Sequence, residues 1–499
     1  MSERRYADGY RKLRKADEPR RIAYDVLHEV ATEGAFANII LPKALRQARR
    51  DGHFSDRDAA FTSELVHGTL RAIGRLDWVI SRHIDRPLAD LDPRALVILR
   101  MGAHQLLDMR VPDHAAVSTT VDVAREHLTD GPVRFVNAVL RSITREDPSE
   151  REAAMDAIAD EDEALGVRYS HPAWMVAAFR DALKAHGYPT DELLDVLEAD
   201  NVVPTVTLVA RPSLMSVDEL ADEAEDILDT RVALGAVSPY AVLLESGDPA
   251  RLPSIRDGRS GAQDEGSQLA ALIAASTPLE GGSDKRWLDL CAGPGGKAAL
   301  LAGVAAGRGA RVTANEVHPH RARLVERTTR QFDSIEVVSG DGRTVGGGQS
   351  AWPLGSFDRV IVDAPCSGMG SMRRRPESRW NRTPGDVEEL TVLQRELLDR
   401  AVALTRPGGV LTYITCSPHA AETREQVERL LKAGKVELLD TVALANECAP
   451  EALDVPAAAG VIAGFGGRTL QLWDHRFGTD LMFVACLRKR WHMRYERHN

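Results

Sequence analysis

From about residue 262 onward the chain alternates short apolar runs with helical patterns, and that alternation restricts it to one architecture. Strands are predicted at 287–291, 311–315, 335–338, 358–363, 409–415 and 481–487. Helical patterns intervene, at 296–306, 319–331, 386–405 and 420–433. Parallel strands need such crossovers, so the pattern predicts βαβ units in a mostly parallel sheet. In such sheets ligands bind just beyond the carboxyl ends of the strands. The residues that follow each predicted strand are therefore the ones to read for chemistry.

The rest of the chain reads differently. With 499 residues it is too long for a single ordinary core. Between about 20 and 145 the apolar residues recur at helical spacing, as in Ile22, Val26, Leu27 and Val30, with almost no β-branched alternation. The predicted organisation is a flexible basic arm over 1–17, an all-α domain over 18–150, an acidic linker or solvated helix over 151–167, a small α+β module over 168–261, and the α/β domain over 262–499. Five widely spaced cysteines without a C-x-x-C pair argue against a disulfide framework and against a zinc site. Reduced thiols suit a cytoplasmic protein. No stretch of 18 apolar residues is present, so no membrane span is expected. The net charge of −11 weighs against nucleic acid as a partner, but local patches decide phosphate binding. Arg373, Arg374, Arg375, Arg379 and Arg382 form such a patch beside Trp380, and the first four are the candidate contacts to phosphates and bases.

Three strand ends carry candidate cofactor residues. Cys291-Ala292-Gly293-Pro294-Gly295-Gly296-Lys297 follows the first strand and opens a helix. Glycines let backbone N–H groups approach a ligand, and the helix N-terminus adds positive potential. The spacing matches neither a Walker loop nor a dinucleotide fingerprint. Glu316 ends the second strand, where a carboxylate can accept from ribose hydroxyls. Asp341 sits in the turn Gly340-Asp341-Gly342 after the third. Turn capping is the plain alternative for Glu316 and Asp341. Two further strand ends carry thiols, in Asp363-Ala364-Pro365-Cys366-Ser367 and Thr415-Cys416-Ser417. Two thiols and a carboxylate delivered there suit covalent catalysis, whereas either cysteine alone reads equally well as a small core residue.

Leu288 to Lys297 resembles the first motif of the S-adenosylmethionine-dependent RNA (cytosine-5) methyltransferases; Asp363–Ser367 resembles the fourth and Thr415–Ser417 the sixth. Phe135–Arg141 in the helical domain resembles a NusB-like domain. The combination resembles the RsmB/Sun (Fmu) type of bacterial 16S rRNA methyltransferase over roughly residues 20–490. The family's first motif carries alanine where this chain has Gly293, a change expected to be sterically harmless. The resemblance implies a Rossmann-like catalytic domain, S-adenosyl-L-methionine as cofactor and small-subunit rRNA as substrate. It assigns the nucleophile to Cys416, product release to Cys366, and contact with base and cofactor to Asp363. Sequence physics does not separate the two cysteines, because DNA cytosine-5 methyltransferases attack through the Pro-Cys motif. No metal is expected, and the chain is expected to be a monomer. The competing functions are a DNA cytosine-5 methyltransferase and an RNA-binding assembly or antitermination factor with an inactive methyltransferase fold.

Overall fold

The computed structural model describes residues 15–52, 54–346 and 352–491, so most of the basic arm over 1–17 lies outside the described residues. The chain divides into two units, one running to Ala173 and including Arg375–Asn381, the other Trp174–Arg374 with the chain from Arg382 on.

The first unit is helical, as expected. Its helices include Glu18–Glu33, Ala37–Arg50, Asp56–Arg71, Ile73–Ser81, Pro93–Leu107, Asp113–His127 and Asp130–Ile143. Their starts are chemically marked. Asp17 accepts from the backbone N–H of Arg20, and Ser55 and Asp58 form a reciprocal capping box. Leu65, Leu76, Ile98, Leu99, Val136 and Leu140 fill the core.

The acidic stretch over 151–167, expected as a linker or a solvated helix, is helical, lying in Pro148–Asp156 and Glu161–Tyr169, and it belongs to this unit. Asp147 and Asp160 cap them. Glu150, Glu161, Asp162 and Glu163 lie in their first turns, where the helix dipole favours negative charge. Arg168 draws Glu152 and Asp156 together with ion pairs at 3.0 and 2.6 Å.

The segment Arg375–Asn381 completes the helical unit. Phe36 offers no side-chain cap to the helix Ala37–Arg50. Glu377 supplies one, its carboxylate accepting from the Ala37 N–H at 3.2 Å. Arg379 is fully buried and donates to the carbonyls of Arg71 and Ser170 at 3.4 and 3.2 Å. The Trp380 ring joins the unit's core over Gly74, where a Cβ would stand 2.5 Å from the ring. Trp380→Ala is expected to cost about 3 kcal/mol, the cavity cost of a large aromatic, and to lower the melting temperature of this unit by roughly 6–12 °C. A calorimetric scan that shifts by less than about 1 °C would remove Trp380 from the core.

The second unit holds two sheets, so the α+β module expected over 168–261 shares a unit with the α/β domain. The smaller sheet has strands β1 (Val206–Ala210), β2 (Val232–Leu234), β3 (Ala241–Leu244) and β4 (Ser260–Ala262), all antiparallel, in the order β2-β3-β1-β4. The helix Val217–Leu228 covers it with Leu220, Ala224 and Leu228.

The larger sheet has strands β5 (Arg286–Asp289), β6 (Arg311–Glu316), β7 (Ile335–Ser339), β8 (Phe357–Asp363), β9 (Thr405–Thr415), β10 (Val436–Leu438), β11 (Leu470–Gln471) and β12 (Phe483–Lys489). The order is β10-β12-β9-β8-β5-β6-β7, with β11 beside β12. The pairs from β9 to β7 are parallel, whereas β12 runs antiparallel to β9 and β10. Helices Gly296–Arg308, Pro319–Thr329 and Pro384–Leu404 make the crossovers. Strand order reverses between β5 and β8, which opens a crevice at their carboxyl ends.

Candidate active site

The site grows from that crevice. Strand β5 ends at Asp289, which is fully buried. Neither of its carboxylate oxygens finds a hydrogen-bond partner of good geometry. Burial, and then the charge of Asp363, push its pKa up to about 7. Sequence reading passed over this residue as part of the strand. The loop that follows leads into the helix Gly296–Arg308 through Gly295 at φ 111°, with no side-chain cap on the helix. The first N–H groups of that helix are left for a ligand.

Glu316 ends β6 and turns onto the loop. Its carboxylate accepts from the N–H groups of Gly293 and His318 at 3.1 and 3.0 Å. Arg321 donates to the Gly293 carbonyl at 2.7 Å. A Cβ at position 293 would stand 2.1 Å from Glu316 Oε2. Glycine fits here without a clash, whereas an alanine would require the flexible end of Glu316 to shift. The missing side chain is the seat of the Glu316 carboxylate. Asn315 ties the strand ends, donating to the carbonyls of Leu290 and Gly340 at 3.0 Å each.

Asp341 follows β7. It is held in its own turn by Arg343, which donates from its N–H at 2.9 Å and its guanidinium at 2.6 Å. Arg343 also pairs with Glu396. The turn-capping reading describes the Asp341 carboxylate.

The thiols meet at the ends of β8 and β9. Cys366 Sγ and Cys416 Sγ are 3.4 Å apart. Asp363 lies on the same rim, ion-paired at 2.9 Å to Lys297 from the helix after the loop. Burial works against charging Lys297, yet Asp363 holds its ammonium above the ordinary lysine range. The two thiols differ electrostatically. The hydrogen bond to Cys416, then burial, push Cys366 well above the usual thiol value, and Glu422 adds to the effect. The same hydrogen bond draws Cys416 below it, and Lys297 lowers it further. Either sulfur can be the donor in the hydrogen bond that joins them. Cys291 lines the loop, and burial beside Asp289 and Asp363 raises its thiol.

The arginine expectation is corrected. Arg373 is buried, donates to the Gly478 carbonyl at 2.9 Å and lies near Asp474 and Asp480. Arg374 pairs with Asp264 and Asp480 at 2.8 and 3.0 Å. Arg379 is inside the helical unit, and Arg375 covers the Phe36 ring at 5.0 Å. Charges taken out of water need fixed partners, and Arg373, Arg374 and Arg379 have theirs within the chain, whereas Arg375 stays exposed. Asp264 and Asp480 went unread because each looks like an ordinary loop acid. Burial, then Asp264, push Asp480 up to about 7.

A Rossmann-like sheet with a glycine loop at its switch point, a carboxylate after the second strand and a thiol pair beyond the fourth and fifth defines a class I methyltransferase. The comparisons agree. The model of the "16S rRNA methyltransferase RsmB/F" family matches residues 276–488, and that of the "NusB family" matches residues 17–145. The putative methyltransferase Rv1407 of Mycobacterium tuberculosis is 46% identical over 96% of this chain and 98% of its own length. Ribosomal RNA small subunit methyltransferase B of Erwinia tasmaniensis is 31% identical over 84% of this chain and 91% of its own. The crystal structure of PH0851 shares the fold at a TM-score of 0.75, with 20% identity, covering 95% of this chain and 100% of that one. The chain belongs to the RsmB/F methyltransferase family, and its cofactor is S-adenosyl-L-methionine. The residues fit that group: a buried carboxylate without a partner beneath the loop, an uncapped helix start, and a carboxylate at the end of β6.

Proposed function

We propose that this chain methylates C5 of a cytosine in small-subunit rRNA through a covalent bond between Cys416 and C6 of the base. The observation that carries this reading is the thiol pair at 3.4 Å, with Asp363 and Lys297 on the same rim. Residues Cys291–Lys297 and Glu316 would hold the cofactor above Asp289. When bound, its sulfonium supplies an electrophilic methyl group.

Cytosine C5 is a poor nucleophile. Addition of the Cys416 thiolate to C6 breaks the 5,6 double bond and turns the ring into an enamine nucleophilic at C5. Asp363, steadied by Lys297, gives the base ring a polar contact where charge develops. After C5 has gained its methyl, a base removes the C5 proton, the 5,6 double bond re-forms, and Cys416 leaves as thiolate. Cys366, whose thiol keeps its proton beside Cys416, assists that release. The rRNA substrate is supported by the family model and by relatives named as small-subunit rRNA methyltransferases.

Labelled S-adenosylmethionine and small-subunit rRNA lacking its own methylation test the reading. Digestion to nucleosides is expected to place the label in 5-methylcytidine. Label in another nucleoside, or none, overturns it.

The cofactor half has its own test. Glu316→Ala loses charge-assisted hydrogen bonds worth about 1.5–3 kcal/mol and is expected to weaken cofactor binding roughly ten- to hundredfold. Calorimetry that finds unchanged affinity removes Glu316 from the cofactor site.

A further inference from the structure

Ser367 and Ser417 each follow one of the two thiols in the chain, and both end on one carboxylate. Glu422 is fully buried. One oxygen accepts from the Ser367 N–H at 2.8 Å and from Gln394 Nε2 at 3.1 Å. The other accepts from Ser367 Oγ at 2.5 Å and Ser417 Oγ at 2.7 Å. Gln394 also donates to the Pro365 carbonyl at 2.9 Å, and the Tyr413 hydroxyl donates to the Glu422 carbonyl. These donors are all neutral.

A buried carboxylate is expensive, and a neutral side chain could join two loops at less cost. The position of the charge says what is gained. It opposes ionisation of Cys366. Lys297 favours ionisation of Cys416.

We propose that Glu422 is a positioning residue for the thiol pair, bridging the two cysteine loops so that Cys366 and Cys416 stay within hydrogen-bonding distance of each other. Its role in turnover rests on the reading in which Cys416 attacks the base. Its role in ordering the thiols does not.

The test uses the full-length protein without RNA, at neutral pH and well below its melting temperature. Iodoacetamide alkylation of each cysteine is followed by peptide mass spectrometry. Wild type is expected to alkylate at Cys416 at least about tenfold faster than at Cys366, since the thiolate is the reacting form. Glu422→Gln keeps the volume but puts an amide donor where an acceptor stood. It is expected to bring the two rates within about threefold and to slow single-turnover methyl transfer by about tenfold or more, as misplaced reacting groups do. Affinity for S-adenosylhomocysteine is expected to stay within about threefold, because the cofactor loop is untouched. Ser417→Ala removes one strut and is expected to shift the alkylation ratio in the same direction by a smaller factor. It decides the question if the Gln variant does not fold. A wild-type alkylation ratio in the folded variant overturns the proposal, even where the rRNA is methylated normally. A collapsed ratio in a protein that makes no 5-methylcytidine upholds the thiol ordering and overturns the cytosine reading instead.

Discussion

Cys416→Ala is expected to lower methyl transfer by about 10^4-fold or more, the scale on which removal of a covalent nucleophile is felt. Cofactor affinity is expected to remain within a few-fold. The argument has two parts. The unactivated C5 of cytosine has no route to the methyl group without an adduct at C6. Of the two thiols at the rim, only Cys416 is drawn below the usual thiol value, by the hydrogen bond to Cys366 and then by Lys297. Single-turnover assays with labelled cofactor, paired with calorimetry, make the measurement. Turnover near wild type would shift the nucleophile to Cys366 or away from cysteine altogether.

Cys366→Ala is expected to form the adduct and fail to resolve it. A denaturant-resistant protein–RNA complex should accumulate, visible as a retarded band on a denaturing gel. The band should be missing from the Cys366→Ala, Cys416→Ala double variant. The pH dependence follows from the sign of the shift. The hydrogen bond to Cys366 lowers the Cys416 pKa, so its removal returns that thiol toward the ordinary value near 8.5. Adduct formation by the single variant should therefore need a higher pH than in wild type. Wild-type turnover with no trapped complex would remove Cys366 from the release step.

The large sheet was legible because its central strands are buried on both faces and read as unbroken apolar runs, as in Val360-Ile361-Val362. Each predicted strand lies within a few residues of an observed one. The antiparallel setting of β12 was not legible, since local pattern does not report direction. Glu316 and the cysteines could be read because they follow strands at known functional places. Glu422 could not. It sits in a short 3-10 turn after Cys416, and nothing local distinguishes a buried bridging carboxylate from a solvated one. The arginine loop failed for the converse reason. A cationic run looks the same whether it meets phosphate or the acids of its own chain, and Asp264 and Asp480 are distant in sequence.

The place of Arg375–Asn381 within the helical unit sets a schedule for synthesis. The last helix of that unit ends at Tyr169, but its Trp380 and the Glu377 cap of Ala37 are encoded roughly 200 residues later. At about 5–20 residues per second that is a delay of roughly 10–40 s, during which the nascent helices have no ring over Gly74 and no acceptor for the Ala37 N–H. The helical unit begins before residues 174–374 in the message and is finished only after them. A gene cut after residue 173 would encode a permanently unfinished version of it.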